Sequence, residues 1–175
     1  MDYFEALTKK RACREFTDEP VSKEYIERLL YAASWAPVAS NRPYRHCIVV
    51  DDPHVMQAIR QISPSLQCKA PVLIIIYSDL QLAHASVGNV GDRCTAVDAG
   101  AAGENVLLAA TALGLGALFT MISAMAGIRT ILGMPEHCRV DLIIPIGHPV
   151  RTLSPLSATK PNPGQRVSRN QYGAD

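Results

Sequence analysis

The residues Val72-Leu73-Ile74-Ile75-Ile76-Tyr77 form an almost unbroken apolar run. A strand with one wet face alternates apolar and polar side chains, so this run predicts a central strand covered on both faces. The rest of the chain must supply those covers. Cys47-Ile48-Val49-Val50 reads as a second, shorter strand, rich in β-branched residues and stopped by Asp51-Asp52-Pro53. Val140-Asp141-Leu142-Ile143-Ile144 reads as the last clear strand, closed by Pro145-Ile146-Gly147, and another is expected over 117–121.

Helices alternate with these strands. A short helical pattern (Tyr3, Phe4, Leu7) opens the chain. The next helix has the fullest local signals. Ser22 is its predicted N-cap, Val21 and Ile26 occupy the two positions of a hydrophobic staple, and Ile26, Leu29, Leu30 and Ala33 recur on one face. It is expected to end near Trp35, because Pro37 disfavours helical geometry at Ala36. Pro53 suits the first turn of a helix carrying Val55, Met56 and Ile59. A helix predicted over 98–113 is apolar nearly all round, so it must be buried on several sides. Its first half (Ala99, Gly100, Ala101, Ala102, Gly103) permits close approach of another helix, and a second copy of the chain is an obvious source. A short helix is expected to run to Leu132. Residues 78–95 are polar and read as an exposed excursion. The tail 151–175 holds Pro155, Pro161, Pro163 and Gly164 and has no periodicity, so it is either disordered or wrapped on a neighbour.

Composition narrows the classes. The chain has 175 residues, enough for one domain or one domain with an appendage. Seventeen Lys and Arg against 16 Asp and Glu leave a net charge of +1, which offers no broad cationic surface for nucleic acid. The uncharged stretch 105–128 is long enough to span a bilayer. Gly114, Gly116 and Gly127 interrupt it and no aromatic belt marks its ends, so it reads as a buried helix, a turn at Gly114-Leu115-Gly116 and a strand. Five cysteines form no Cys-x-x-Cys pair and leave an odd number, the N-terminus has no secretory pattern, and a reducing cytoplasm is the expected compartment. The five histidines are scattered without metal-ligand spacing, and no Ser/His/Asp or phosphate-loop constellation is present.

Positive charge is concentrated at one place. Lys10, Arg11 and Arg14 lie within five positions, where the first helix ends and a turn-rich stretch begins. Arginine grips a phosphate through parallel hydrogen bonds and lysine meets it as a point charge. The competing reading is a solvated helix end whose cations complement the helix dipole. Cys13 lies between Arg11 and Arg14, and neighbouring cations favour a thiolate. Asp98 and Glu104 read as a helix cap and a paired buried acid.

Three segments taken together are more specific. They are Lys10-Arg11-Ala12-Cys13-Arg14-Glu15-Phe16-Thr17-Asp18-Glu19-Pro20-Val21, then Trp35-Ala36-Pro37-Val38-Ala39-Ser40-Asn41-Arg42-Pro43-Tyr44, then Leu115-Gly116 with Leu132-Gly133-Met134-Pro135-Glu136 and Ile144-Pro145-Ile146-Gly147-His148-Pro149. In this order and spacing the chain resembles the FMN-dependent nitroreductase family, from Tyr3 to Asn170-Gln171-Tyr172-Gly173. The resemblance implies an α+β fold, a three-layer sandwich with a mixed β-sheet flanked by helices, and an intertwined homodimer with FMN at the interface. Residues 1–150 would form the FMN-binding domain, and 151–175 an arm packed on the partner subunit.

The resemblance also implies site residues. Lys10 and Arg11 would approach the FMN phosphate and ribityl chain. Ala12 stands where many members have serine. Cys13 stands where members are usually aliphatic, which implies a small buried hydrophobe, and His148 where an aromatic is common, which implies a packing or partly exposed residue. Arg14 would reach the N1 and C2 carbonyl edge of the ring, where negative charge gathers on reduction. Pro37, Val38, Ala39, Ser40 and Asn41 would be contributed to the partner's flavin, although Asn in such a loop also commonly caps its own turn. The family's Asn-x-Gln-Pro-Trp reads Asn41-Arg42-Pro43-Tyr44 here, without the glutamine and with tyrosine for tryptophan. Phe119, Thr120 and Met121 would line one flavin face, with Met121 where many members have glycine. Lys160 is the nearest match to a C-terminal phosphate cation, with Arg166 and Arg169 as rivals. The implied function is hydride transfer from NADH or NADPH through FMN to a small acceptor such as a nitroaromatic or quinone. Two alternatives stay open: another flavin reaction on the same scaffold (dehalogenation, flavin destruction, oxidation of a peptide ring), and a non-catalytic flavin-binding sensor or carrier.

Overall fold

The computed structural model describes residues 1–64, 66, 68–120, 124–151, 167–168 and 170–171. Its elements in chain order are α1 (Tyr3–Lys9), α2 (Lys23–Ser34), β1 (Arg45–Val50), α3 (Pro53–Ile62), β2 (Val72–Asp79), α4 (Leu80–Val87), α5 (Gly91–Ala112), β3 (Gly116–Ala117), α6 (Met125–Ile131) and β4 (Cys138–Gly147). The strands lie in the order β1-β2-β4-β3, and β2 is central as its apolar run requires. Every pair of named strands is antiparallel, and the parallel contact is the isolated bridge Ala12–Ala117.

Alternation along β2 builds two cores. Val72, Ile74 and Ile76 face one side, with Leu29 and Ala33 of α2 and Ala99, Ala102, Val106 and Ala110 of α5. Leu73 and Ile75 face the other, with Met56 and Ile59 of α3 and Ile128 of α6. The result is a three-layer α+β sandwich, with α2 and α5 above the sheet and α3 and α6 below. Ile74, Ile75 and Ile76 are fully buried.

Local signals act where expected. Ser22 accepts a hydrogen bond from the Tyr25 amide at the start of α2, and Asp52 accepts from His54 and Val55 at the start of α3, with Pro53 in its first turn. Helix α5 stops at Gly114, whose φ of 77° is favourable only without a Cβ. The Gly114 and Leu115 amides there bond the carbonyls of Thr111 and Ala110, a Schellman motif.

Three expectations need correction. Residues 78–95 are not an exposed excursion. Asp79 ends β2 and caps α4, and α5 begins at Gly91 rather than Asp98. The polar residues that suggested a loop (Gln81, Asp92, Arg93) lie on exposed helix surface, while Ala83 and Thr95 are buried. The strand expected over 117–121 is shorter, only Gly116–Ala117 plus a bridge from Thr120 to Ile143; Met121 lies outside the described residues. Pro145 does not close β4, which runs on to Gly147 with Pro145 opposite Leu73. β3 pairs only Ile146 and Gly147, which leaves the ladder interrupted beside that proline. Among the described residues no helix is long and apolar enough to cross a membrane.

A register shift between Ile76 and Tyr77 lets Val140 and Ile143, three apart, share the lower core. Asp141 lies inside this bulge, its side chain 5% exposed, accepting from Ser78 Oγ (2.6 Å) and Arg139 Nε (2.8 Å). Arg139 goes on to Asp92 and Thr95 of α5. Burial raises the Asp141 pKa above its ordinary value, against the pull of Ser78 and Arg139. The folded state therefore holds this proton more tightly than the unfolded chain, so Asp141 takes stability away as pH climbs from below 4 through its raised value. Asp141→Asn is expected to remove that loss. Its stability relative to the parent protein should increase across this window and level off above it, read from urea midpoints at stepped pH.

Candidate functional site

The cationic cluster runs as an extended segment along the end of the sheet. The Cys13 amide donates to the Ala117 carbonyl (3.0 Å), Thr17 N–H to His148 (2.8 Å), and Phe16 bridges Pro149. Cys13 is 1% exposed and packs with Phe16, Ala70 and Leu118, as its reading as a small hydrophobe requires, and burial raises its thiol pKa. Gly116 makes this seat possible. A Cβ there would lie 2.5 Å from Cys13 Sγ and 2.7 Å from Cys13 Cβ. Cys68 and Ala70, from the connection between α3 and β2, complete the packing, and nothing local in the sequence marks them for it.

Lys10, Arg11, Ala12 and Arg14 line a hollow of about 220 Å³ together with Leu107, Ala117, Leu118 and Phe119. Their roles differ. Lys10 Nζ is 3.0 Å from Glu104 Oε2 on α5, both side chains about a third exposed, so Glu104 is paired as expected but not buried. Arg11 Nη1 donates to the carbonyls of Thr8 (2.9 Å) and Lys10 (2.6 Å), closing the end of α1, while its Nε is buried without a partner. Arg14 is exposed and makes no hydrogen bond or ion pair among the described residues, leaving its guanidinium open to a ligand. Thr120 Oγ1, one residue past the lining Phe119, is another buried polar atom without a partner. Gly103 gives the Phe119 ring its space against α5.

The loop after α2 forms the second half. Ala39–Asn41 is a short 3₁₀ turn in which Ser40 (φ 58°) and Asn41 (φ 50°) stand in left-handed backbone, exposing both side chains. Asn41 closes the turn through its backbone amide to Val38 (3.0 Å); its side chain makes no hydrogen bond among the described residues. Asp98 is not a helix cap but lies in the body of α5, 6% exposed, and takes the Ala39 amide (2.9 Å) and the Tyr44 hydroxyl on one oxygen, Oδ2. Burial and that carboxylate push the Tyr44 hydroxyl pKa well above its usual range. Arg45, which sequence reasoning missed, reaches the carbonyls of Ala33, Ala36, Pro37 and Asp98. Arg45 opens β1, eleven residues after Ser34 ends α2, so no local helix-end signal marked it.

Asp98 and Glu104 thus hang one half of the site each on α5. Six helical residues correspond to about 9 Å of rise and about 240° of rotation, so the halves leave α5 in different directions. None of residues 37–41 lines the hollow around Lys10 and Arg14. Lys160, Arg166 and Arg169 lie outside the described residues, as does most of the 151–175 arm.

The donors present suit an anionic, flat, heteroaromatic group such as FMN. Lys10 and Arg14 offer cations, and Leu107, Leu118 and Phe119 give apolar walls. Comparisons with known proteins agree. The nitroreductase family model matches residues 7–68 and 63–148. A provisionally named NADH dehydrogenase/NAD(P)H nitroreductase of Methanothermobacter thermautotrophicus is 33% identical over 172 residues, covering 95% of this chain and 82% of that protein. The FMN reductase [NAD(P)H] of Bacillus subtilis is 28% identical over 97% of this chain and 73% of its own length. A crystal structure of a provisionally named NADH dehydrogenase/NAD(P)H nitroreductase from Parabacteroides distasonis superposes with a TM-score of 0.84 at 26% identity, covering 97% of this chain and 98% of that one. With a three-layer fold, a cationic hollow and a flavin-compatible lining, the chain belongs to the nitroreductase family and is an FMN-dependent NAD(P)H oxidoreductase.

Proposed function

We propose that two copies of this chain enclose two FMN molecules and pass electrons from NADH or NADPH to a small acceptor, a nitroaromatic or a quinone, in the cytoplasm. The separation of the two site halves around α5 carries this reading. A hollow of about 220 Å³ is smaller than the roughly 300–1,000 Å³ of a typical ligand pocket, so the described residues of one chain do not by themselves enclose a flavin there. The 37–41 loop of a second copy supplies the missing wall. Exposed apolar residues on α1 (Tyr3, Phe4, Leu7), α2 (Tyr31, Trp35) and α5 (Val97) give that copy a surface to cover. All five cysteines are free, which suits a reducing compartment.

Bound FMN supplies the hydride chemistry, accepting from the nicotinamide and giving to the acceptor. The chain's own residues bind and bias it. Lys10, held by Glu104, meets the anionic end together with the cluster backbone, and Lys160 is the proposed cation from the tail. Arg14 lies at the ring's N1 edge and stabilises negative charge there. Ser40, Asn41 and the backbone of Pro37, Val38 and Ala39 face the ring and ribityl chain of the other copy's flavin.

Adding NADH or NADPH to the FMN-loaded protein is expected to bleach the flavin absorbance within seconds. Loaded protein that keeps its colour for minutes would instead be a carrier or sensor. Arg14→Ala is expected to lower the bound flavin's two-electron potential, on the order of 30 mV. An unchanged potential in a fully loaded variant removes Arg14 from that role. Sedimentation should give a dimer, and a monomer with flavin bound contradicts the shared site.

A further inference from the structure

Loop 37–41 belongs to no sheet or long helix, yet it holds two successive non-glycine residues in left-handed backbone. Such conformations persist only where surrounding structure over-determines them. Here one carboxylate oxygen does most of the holding. Asp98 Oδ2 takes the Ala39 N–H from the loop's near side and the Tyr44 hydroxyl from its far side. Tyr44 is fully buried, so its ring is fixed and its hydroxyl has one place to go. Ser40 and Asn41, between these anchors, are exposed.

We infer that Asp98 and Tyr44 are positioning residues of the cofactor site, fixing on α5 the loop that presents Ser40 and Asn41 to the flavin of the second copy. The inference rests on the flavin reading above. In this role the working part of Tyr44 is its hydroxyl donor, held by the buried ring.

Tyr44→Phe keeps the ring and deletes the donor, leaving a buried carboxylate oxygen with one partner fewer. The apo-dimer is titrated with FMN and with riboflavin, and the visible circular dichroism of bound flavin is recorded at saturation. Both dissociation constants are expected to rise about tenfold, by the same factor, because the loop meets ring and ribityl chain rather than phosphate. The dichroism of the saturated variant should change as the ring loses its fixed wall. If Tyr44→Phe does not fold, Asp98→Asn carries the same test with the same expected signature. Parent-like affinity and dichroism overturn the assignment, as does a loss confined to FMN. Parent protein that takes up no flavin sinks the functional reading itself. Parent protein that binds flavin beside an unimpaired Tyr44→Phe sinks only the positioning role.

Discussion

Arg45→Met is expected to cost about 3 kcal/mol of folding stability, the largest loss for any single polar side chain in the upper layer. The guanidinium donates to four carbonyls at 2.9–3.1 Å: Ala33 in the last turn of α2, Ala36 and Pro37 just past it, and Asp98 in α5. The Ala33 carbonyl also accepts the Ala36 amide (3.2 Å), so Arg45 adds a second donor there. Net worth per bond is about 0.5–1.5 kcal/mol, and the side chain is only half buried, so water recovers part of the loss. Methionine replaces the stem and supplies no donor. Burial lowers the guanidinium's pKa while the neighbouring Asp98 carboxylate opposes that shift; the substitution removes this charge, and the carboxylate keeps the Ala39 amide and the Tyr44 hydroxyl. Arg45→Lys should recover less than half, because one ammonium cannot span four carbonyls aligned on a planar fork. Urea midpoints with unchanged slopes measure this, and a loss below about 1 kcal/mol would mean the carbonyls are already satisfied by water.

The contrast between Ser22 and Arg45 shows what sequence can and cannot reveal. Ser22 caps an amide three residues away, and Val21 and Ile26 flank it, so every partner sits in one window of chain. Asp52-Pro53 and Gly114 are legible for the same reason. The three layers follow from the unbroken apolar β2 together with two amphipathic helices and one helix apolar nearly all round. Helix α4 was hidden because its polar residues sit on the exposed surface of a short helix packed by small ones such as Ala83, and small residues carry little periodic signal. In the site, the resemblance pointed to Lys10 to Arg14 and to residues 37–41, and the structure gathers Lys10, Arg11, Ala12 and Arg14 around one hollow that residues 37–41 do not line. The partners were not legible. Glu104 lies 94 residues from Lys10, and Asp98 lies 54 from Tyr44 and 59 from Ala39. No local pattern encodes such pairings, and an acid on an apolar helix looks alike whether it caps, pairs or stands alone.

Gly116→Ala is expected to lose about 3 kcal/mol and to weaken FMN binding at least tenfold. The reason is the identity of the atoms in the way. A Cβ at Gly116 would meet Cys13 Sγ at 2.5 Å and Cys13 Cβ at 2.7 Å, and a Cβ cannot swing aside without moving its backbone. That backbone is tied to the next residue of the same strand through the Cys13 amide and the Ala117 carbonyl (3.0 Å). Relief of the clash therefore pulls residues 12–14 off the sheet and carries Arg14 away from the hollow it lines. Gly127→Ala is the informative contrast. Its Cβ would approach only the terminal methyl of Ile62, at 2.7 Å, a group that can rotate away, while α6 gains helix propensity from the alanine. Stability there should change by less than about 1 kcal/mol, with flavin affinity unaltered. Cys13→Ala should not rescue Gly116→Ala, because it keeps the Cβ, whereas Cys13→Gly removes both offending atoms and should restore much of the flavin affinity. Rescue by Cys13→Ala as complete as by Cys13→Gly would show that only the sulfur was in the way, and that the backbone of the cationic cluster had room to spare.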